Sequence, residues 1–395
     1  MLNILYANPY SLLDYTSGSS KSIRLILKGF SKLGCNVEAI FCTTSYSKTG
    51  YLNTCAFLNN SNRSEKLNHI NLDGIKCKII NSNHWDRRKL SDLEKCLFLK
   101  ETIYLIRKRK IDLIISWGNL SLEEEIFKEA KKLGVKICFY LVNPSYFGED
   151  FYLKDNADFI ITDSNATKRL YENFIKNKIN VLPKCLEEIP IRASHKNKSK
   201  NCLIINPSIN KGLEPLIEVS KKLYIVDPSI SLWCVNGRDQ IYDDLKYLKY
   251  QINDLPKNIK ILPACKDIQS LYDHAKVVLL LSIWHESGSR VIQESYAKGL
   301  PVICFNTGGN DEYIQENKKD IFEMPRTYLD KNNRLRIKKW DSKKMVERIS
   351  LLVEDEQYYG YYSGKILKEN NPKIKNKVFF KSLSEFVNFI KGTKK

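Results

Sequence analysis

A chain of 395 residues predicts two domains, or three, at about 100 to 200 residues per domain, with room for more than one hydrophobic core. Apolar residues make up 43% and charged residues 28%, which excludes a collagen-like or an intrinsically disordered chain. Lysine and arginine number 64 against 45 aspartate and glutamate, a formal charge of +19, so the surface should attract polyanions, anionic lipid or phosphorylated small molecules without choosing among them.

The opening residues, Met1 to Pro9, lack a basic n-region and their apolar run breaks early, so a first strand is expected there rather than a signal peptide. Strand Leu2 to Tyr6, helix Ser19 to Leu33 and strand Asn36 to Cys42 give βαβ punctuation. Further strands are expected at Lys76 to Ile80, Leu113 to Ser116, Val135 to Val142, Phe159 to Thr162 and Asn180 to Leu182. Helices near Ser91 to Arg107, Leu122 to Leu133 and Asn165 to Lys176 interleave with them. The polar, basic stretch Arg192 to Lys200 reads as a linker. A second series follows: strands Cys202 to Ile205, Ser231 to Val235, Ile259 to Leu262, Val277 to Leu281 and Val302 to Phe305, with helices Gly212 to Leu223, Ile268 to His274 and Val291 to Lys298. The charged segment Tyr328 to Lys344 reads as a surface loop leading to a helix, and Val378 to Ile390 as a terminal amphipathic helix.

The fold class is therefore α/β, with two Rossmann-like, doubly wound domains facing across a cleft. The expected division is an N-terminal domain at 1–190, a linker at 191–200, a second domain at 201–374, and a helix at 375–395 that packs back on the first domain. Ligands of such sheets bind beyond the carboxyl ends of the strands. Eleven cysteines form an odd set without a C-x-x-C pair, and several lie in apolar runs, which points to free thiols and a reducing cytoplasm. No run of about 18 apolar residues occurs, so no bilayer span is expected.

The most informative stretch runs from Leu279 through Glu286-Ser287-Gly288-Ser289-Arg290 to Glu294, and on to Gly299-Leu300-Pro301-Val302. It reads strand, polar turn, helix, glycine stop, strand. The turn would open a helix whose unpaired N–H groups and positive dipole end suit a diphosphate. Glu286 and Glu294, eight residues apart, are separated by at most about 12 Å along a helix, comparable to the reach from a sugar across a diphosphate to a ribose. Two glutamates at that spacing are weak by themselves; the strand-to-helix turn and the following Asn306-Thr307-Gly308-Gly309-Asn310 supply the context.

This segment resembles the donor-binding signature of the retaining family-4 glycosyltransferases (glycosyl transferases group 1), which have the GT-B architecture. The resemblance implies an acceptor-side N-terminal domain and a nucleotide-sugar-binding second domain. Asn206-Pro207-Ser208-Ile209-Asn210-Lys211-Gly212 is similar to the family segment in which a basic residue meets the diphosphate, and Lys211 matches that residue. Asn206 stands where the family often has arginine, so one positive charge is missing unless another basic residue supplies it. Val235-Asn236-Gly237-Arg238 resembles the strand-end glycine near the nucleotide, and Leu262 to Asp267 the loop beside the base. Thr16-Ser17-Gly18-Ser19-Ser20 resembles the small-residue loop that approaches phosphate and acceptor, and equally reads as a Ser-rich N-cap. No histidine follows the middle strand of the first domain; Asn143 stands in that region.

By resemblance, the chain is a metal-independent, retaining glycosyltransferase without a cofactor, moving a sugar from a nucleoside diphosphate to an acceptor hydroxyl in bacterial surface polysaccharide or glycolipid synthesis. Lys211 and Glu286 would be catalytic. Asn206, Gly237, Ser287, Gly288, Ser289, Arg290 and Glu294 would hold the donor, with Glu286 on sugar hydroxyls and Glu294 on the ribose. Gly18, Ser19 and Asn143 would line the acceptor or phosphate loop. The partners implied are the nucleotide sugar and a glycan or lipid-linked acceptor, with peripheral contact at the inner face of an anionic membrane left open and no nucleic acid. Two alternatives stand beside this reading: a phosphorylase or synthase of the same architecture, and a non-catalytic basic binding protein for nucleic acid or anionic membrane. The run Arg107 to Lys110 serves either as a solvated helix end or as an anion patch. His285 reads as a structural imidazole or a base, and Trp284 as core or pocket wall.

Overall fold

The computed structural model describes residues 1–59, 66–146, 156–187, 199–314 and 318–393. It divides into two compact units, one of Met1–Cys185 with Asn376–Lys395 and one of Leu186–Lys375. Most of the expected linker, 191–198, lies outside the described residues.

The first unit is built on eight strands: β1 (Asn3–Ala7), β2 (Asn36–Cys42), β3 (Leu67–Leu72), β4 (Ile75–Ile80), β5 (Leu113–Ser116), β6 (Lys136–Leu141), β7 (Phe159–Thr162) and β8 (Ile179–Val181). They lie in the order β3-β4-β2-β1-β5-β6-β7-β8. All neighbours are parallel except β3 and β4, which form an antiparallel hairpin at the edge. Every residue of β5 and β7 is buried, as expected where helices cover both faces and the strand becomes a continuous apolar run. The chain builds outward from β1 through β2 to β4, then returns to β5 and builds the other way. The connection reverses between β1 and β5.

The second unit repeats the plan with six parallel strands, β9 (Asn201–Ile205), β10 (Ser231–Asn236), β11 (Ile259–Pro263), β12 (Val277–Leu280), β13 (Val302–Phe305) and β14 (Ile321–Phe322). Their order is β11-β10-β9-β12-β13-β14, so the reversal falls between β9 and β12. Both units have their own core of aliphatic and aromatic side chains.

Local signals place the helices. Ser17 caps the helix Gly18–Lys32 by accepting from the Ser20 N–H at 3.2 Å. Ser91 and Glu94 form a reciprocal capping box on Asp92–Arg109. The expected loop at Tyr328 to Lys344 is corrected by the structure. It holds a hairpin, β15 (Thr327–Leu329) antiparallel to β16 (Leu335–Ile337), fastened by the Glu214 carboxylate, which accepts from Arg336 and from the Ile337 N–H at 2.8 to 3.2 Å. Three-residue strands interrupted by charge carry too little alternation to be read. The helix expected beyond it spans Lys343–Glu354.

The terminal helix, Pro372–Gly392, lays Phe379, Leu383, Phe386, Val387 and Ile390 into the first unit's core. Phe386 sits 6.5 Å from the Phe30 ring and 5.9 Å from that of Phe159. Gly29 gives the helix its close approach, since a Cβ there would lie 2.7 Å from Leu383 Cδ2. Among the described residues no helix is long and apolar enough to cross a membrane. All eleven cysteines are free thiols, nine of them buried. Removing the Phe386 ring should lower stability by about 3–5 kcal/mol, the scale of a buried Phe→Ala change, and urea denaturation followed by circular dichroism should show the Phe386→Ala midpoint shifted down accordingly.

Candidate functional site

The second unit's reversal between β9 and β12 brings two loops together at the carboxyl ends of these strands. One runs from Asn206 to Gly212 after β9; the other runs from Leu281 to Ser289 after β12. They are tied by the Ile283 N–H donating to the Asn210 carbonyl at 3.0 Å. Their contact requires a missing side chain: a Cβ on Gly212 (φ +85°) would lie 1.9 Å from the Leu281 carbonyl oxygen. Gly308 (φ +58°) plays the same part for the loop after β13. A Cβ there would meet the Glu286 backbone at 2.1 Å, while the Gly309 N–H donates to the Glu286 carbonyl at 2.7 Å. Gly308 thus holds the Glu286 backbone, while Gly212 holds that of Leu281 in the same loop.

Lys211 Nζ donates to Glu286 Oε1, and so does the Ser282 hydroxyl. The Glu286 side chain is 10% exposed and that of Lys211 31%, so the carboxylate is the more deeply buried partner. Burial alone pushes the Glu286 carboxyl up. The Lys211 charge, the two hydrogen bonds and the Arg238 charge outweigh burial and hold it below the ordinary carboxylate value. Neighbouring His285 is pushed below the ordinary imidazole value by burial, against the opposing pull of Glu286.

Helix Arg290–Ala297 begins three residues after Ser287. Ser289 is its N-cap residue but makes no side-chain cap bond. Ser287 is half-buried, Gly288 lies against the Tyr313 ring, and Ser289 is buried. The Arg290 side chain turns to Glu294, donating to its Oε1 at 3.2 and 3.3 Å; the Tyr272 hydroxyl donates to Oε2 at 3.2 Å. Glu294 is therefore a buried, charge-paired carboxylate on the inner face of the helix rather than an exposed one.

Asn206 adopts φ +53°, a left-handed conformation that asparagine tolerates better than most side chains. Its amide oxygen is buried without a hydrogen-bond partner and lies 2.4 Å from where a Gly237 Cβ would be, so the glycine leaves room for it. The structure thus brings Lys211, Glu286, Ser287, Gly288 and Ser289 into one neighbourhood, with Asn206 and Gly237 against each other at the ends of β9 and β10. It adds Ser282 and Arg238. Ser282 carries no motif signal of its own; Arg238 stood beside the strand-end glycine but was not given a site role.

The remaining candidates belong to the first unit. Gly18 is exposed and Ser19 half-buried in the first turn of their helix, whose capping is done by Ser17. Asn143 closes a turn after β6: its Oδ1 accepts from the Ser145 N–H at 3.0 Å and hydroxyl at 2.7 Å, and its carbonyl accepts from the Tyr171 hydroxyl at 2.6 Å. Among the described residues no three His, Cys, Asp or Glu side chains gather into a metal-holding group.

Two Rossmann-like units of this topology define the GT-B fold. Residues 188–371 match the family model of glycosyl transferases group 1. Anabaena HepE in complex with UDP-glucose superimposes with a TM-score of 0.71 at 14% identity, over 98% of this chain and all of that one. An uncharacterized glycosyltransferase of Haemophilus influenzae is 25% identical over 211 residues, 53% of this chain and 55% of its own length. Spore coat protein SA of Bacillus subtilis is 42% identical over 74 residues, 18% of this chain and 20% of its own. The chain thus spans about half and a fifth of the lengths of these two curated relatives.

Because Glu286 is lowered in the folded state, the pair stabilises above the ordinary carboxylate pKa, and that contribution is lost as pH falls through the lowered value. Lys211→Met should strand the buried carboxylate and cost about 1–3 kcal/mol at neutral pH, with the loss shrinking in acid. Adding Glu286→Gln should recover part of it, a coupling that urea titrations of the two single variants and the double variant measure.

Proposed function

We propose that the chain is a glycosyltransferase that moves a sugar from a nucleoside diphosphate sugar to an acceptor hydroxyl with retention of anomeric configuration, in the manner of family 4, and without a metal. The observation that carries the reading is the Lys211–Glu286 pair at the second unit's reversal point, beside the helix start at Ser287 to Arg290. A leaving diphosphate needs positive charge placed before it departs. Lys211, the more exposed partner of the pair, can turn one donor to phosphate oxygen, and the N–H groups from Ser287 to Arg290 supply the rest.

Once Lys211 is shared with the diphosphate, the Glu286 carboxylate has lone pairs for sugar hydroxyls. Arg238, whose charge already reaches Glu286, restores the positive charge that Asn206 cannot give. The orphaned amide oxygen of Asn206 would accept from a hydroxyl or N–H of the nucleotide, and Glu294, oriented by Arg290 and Tyr272, would accept from the ribose. In the transfer, the anomeric carbon's bond to the phosphate oxygen breaks as its bond to the acceptor oxygen forms on the same face. The acceptor proton passes to the departing phosphate oxygen, so no protein nucleophile is needed. HepE, whose GT-B fold this chain shares, has been captured with UDP-glucose, which makes a UDP-sugar the first donor to try. A glycan or lipid-linked acceptor in surface polysaccharide or glycolipid synthesis fits this chemistry.

Donor binding should raise the melting temperature with concentration, since a ligand of the native state stabilises by mass action. In a panel of UDP-, GDP-, ADP- and TDP-sugars, at least one should shift the wild-type melt, and Lys211→Ala and Glu294→Ala should abolish that shift while keeping the wild-type circular dichroism spectrum. Proton NMR of the product should show the donor's anomeric configuration. Wild-type transfer by Lys211→Ala would end this assignment.

A further inference from the structure

Lys211 lies in the loop after β9, outside any helix or strand, and both flanks of that loop are tied to one element more than 100 residues further along the chain. Three residues after Lys211, the Glu214 carboxylate accepts from Arg336 Nε at 3.0 Å, from Arg336 Nη2 at 2.8 Å and from the Ile337 N–H at 3.2 Å. Two residues before Lys211, the Ile209 N–H donates to Asp244 Oδ2 at 3.0 Å. Asp244 is reached in turn from the tip of the same hairpin, where Arg334 Nη1 lies 3.5 Å from Asp244 Oδ1. Hairpin β15–β16 therefore grips the lysine loop from both sides.

The tip that does this is closed on itself. Asp330 Oδ1 accepts from the Asn332 N–H at 2.8 Å and from the Arg334 N–H at 3.1 Å, and Asn333 turns the chain at φ +55°. Helix Ile241–Tyr247 then holds it: the Tyr247 hydroxyl donates to Asp330 Oδ2 at 2.5 Å, the Asn332 side-chain amide donates to that hydroxyl at 2.8 Å, and the Arg334 guanidinium sits 3.9 Å from the Tyr247 ring centroid. At the other end, a two-pronged guanidinium–carboxylate contact fixes direction as well as distance. Tyr328 and Leu329 of β15 are exposed, so the directed contacts come from the tip and from β16.

We infer that the β15–β16 hairpin is a brace that presets the Lys211 loop to receive the diphosphate, with Asp244, Glu214, Arg334 and Arg336 as positioning residues that act through Lys211. The inference rests on the transferase reading of Lys211. A loop ordered only on binding loses conformational freedom at that moment and weakens affinity, whereas a loop held in advance does not. Because Lys211 stands beside Glu286, the residue read as holding sugar hydroxyls, the phosphate it serves is the one bonded to the sugar.

The test is calorimetric titration of the full chain with UDP, GDP, ADP and TDP and with the matching monophosphates, joined to hydrogen exchange of the peptide spanning 206–213. Asp244→Ala should exchange faster in that peptide and bind the preferred diphosphate about tenfold more weakly, the scale of one charge-assisted hydrogen bond. Asp244→Asn, which keeps an acceptor oxygen for the Ile209 N–H, should recover most of that affinity. Arg336→Gln, a change at a partly exposed side chain that leaves the core intact, should repeat the loss from the other flank. The monophosphate, which lacks the phosphate next to the sugar, should bind all three variants as it binds the wild type. Unchanged exchange or diphosphate affinity in Asp244→Ala and Arg336→Gln, an Asp244→Asn variant as weak as Asp244→Ala, or an equal loss for the monophosphate would overturn the brace alone. A wild type that binds none of the four diphosphates would instead remove the transferase reading, and the brace's role in donor binding with it.

Discussion

A carboxylate taken out of water needs a charge partner, and in the second unit that need decides how two distant loops meet. Glu286 is buried at the end of β12, Lys211 comes from the end of β9, and the parallel pairing of those strands makes 75 residues of separation irrelevant. A buried ion pair is weak as a device for stability, because desolvation consumes much of the attraction. What it gives here is position. Gly212 and Gly308 let their loops close on the backbone of the loop from Leu281 to Glu286, and Lys211 is the more exposed partner of the pair.

The two units share a topology and differ in what they put at its reversal. In one, the loops present charge: lysine, glutamate and a neighbouring arginine, next to a helix start. In the other, the loops present flat rings, Tyr10, Tyr46 and Trp117, backed by the ion pair of Arg87 with Glu123. The same backbone plan thus carries two kinds of loop chemistry in the residues that follow the strands.

How much of this could be read beforehand depended on whether the signal was local. The strand–turn–helix from Val277 to Ala297 was legible because a buried apolar strand, a polar turn and a glycine stop lie within one short window. Helix Lys48–Asn59 was missed: it exposes Leu52 and Phe57 while burying Cys55 and Leu58, so its apolar residues define no single face. Edge strand β3, with Asn68, His69 and Asn71 among its six residues, lacks the apolar run of its parallel neighbours. Lys211 and Glu286 could be named from their motifs, but the buried pairing of Glu294 with Arg290 and Tyr272 could not, since helix spacing does not say which face is turned inward. The aromatic stack draws Tyr10, Tyr46 and Trp117 from three separate loops, and no window of sequence contains it.

The return of the terminal helix to the first unit has a consequence for synthesis. A ribosome releases residues 1–185 long before it reaches Phe379, Leu383 and Phe386, because the 190 residues from Leu186 to Lys375 are made in between. At about 5–20 residues per second that interval is roughly 10 to 40 s, during which the apolar groove beside Phe30 and Gly29 has no cover. The nascent chain therefore passes through a stage in which its first half can be collapsed but not closed, and that stage is where a chaperone would find its handle.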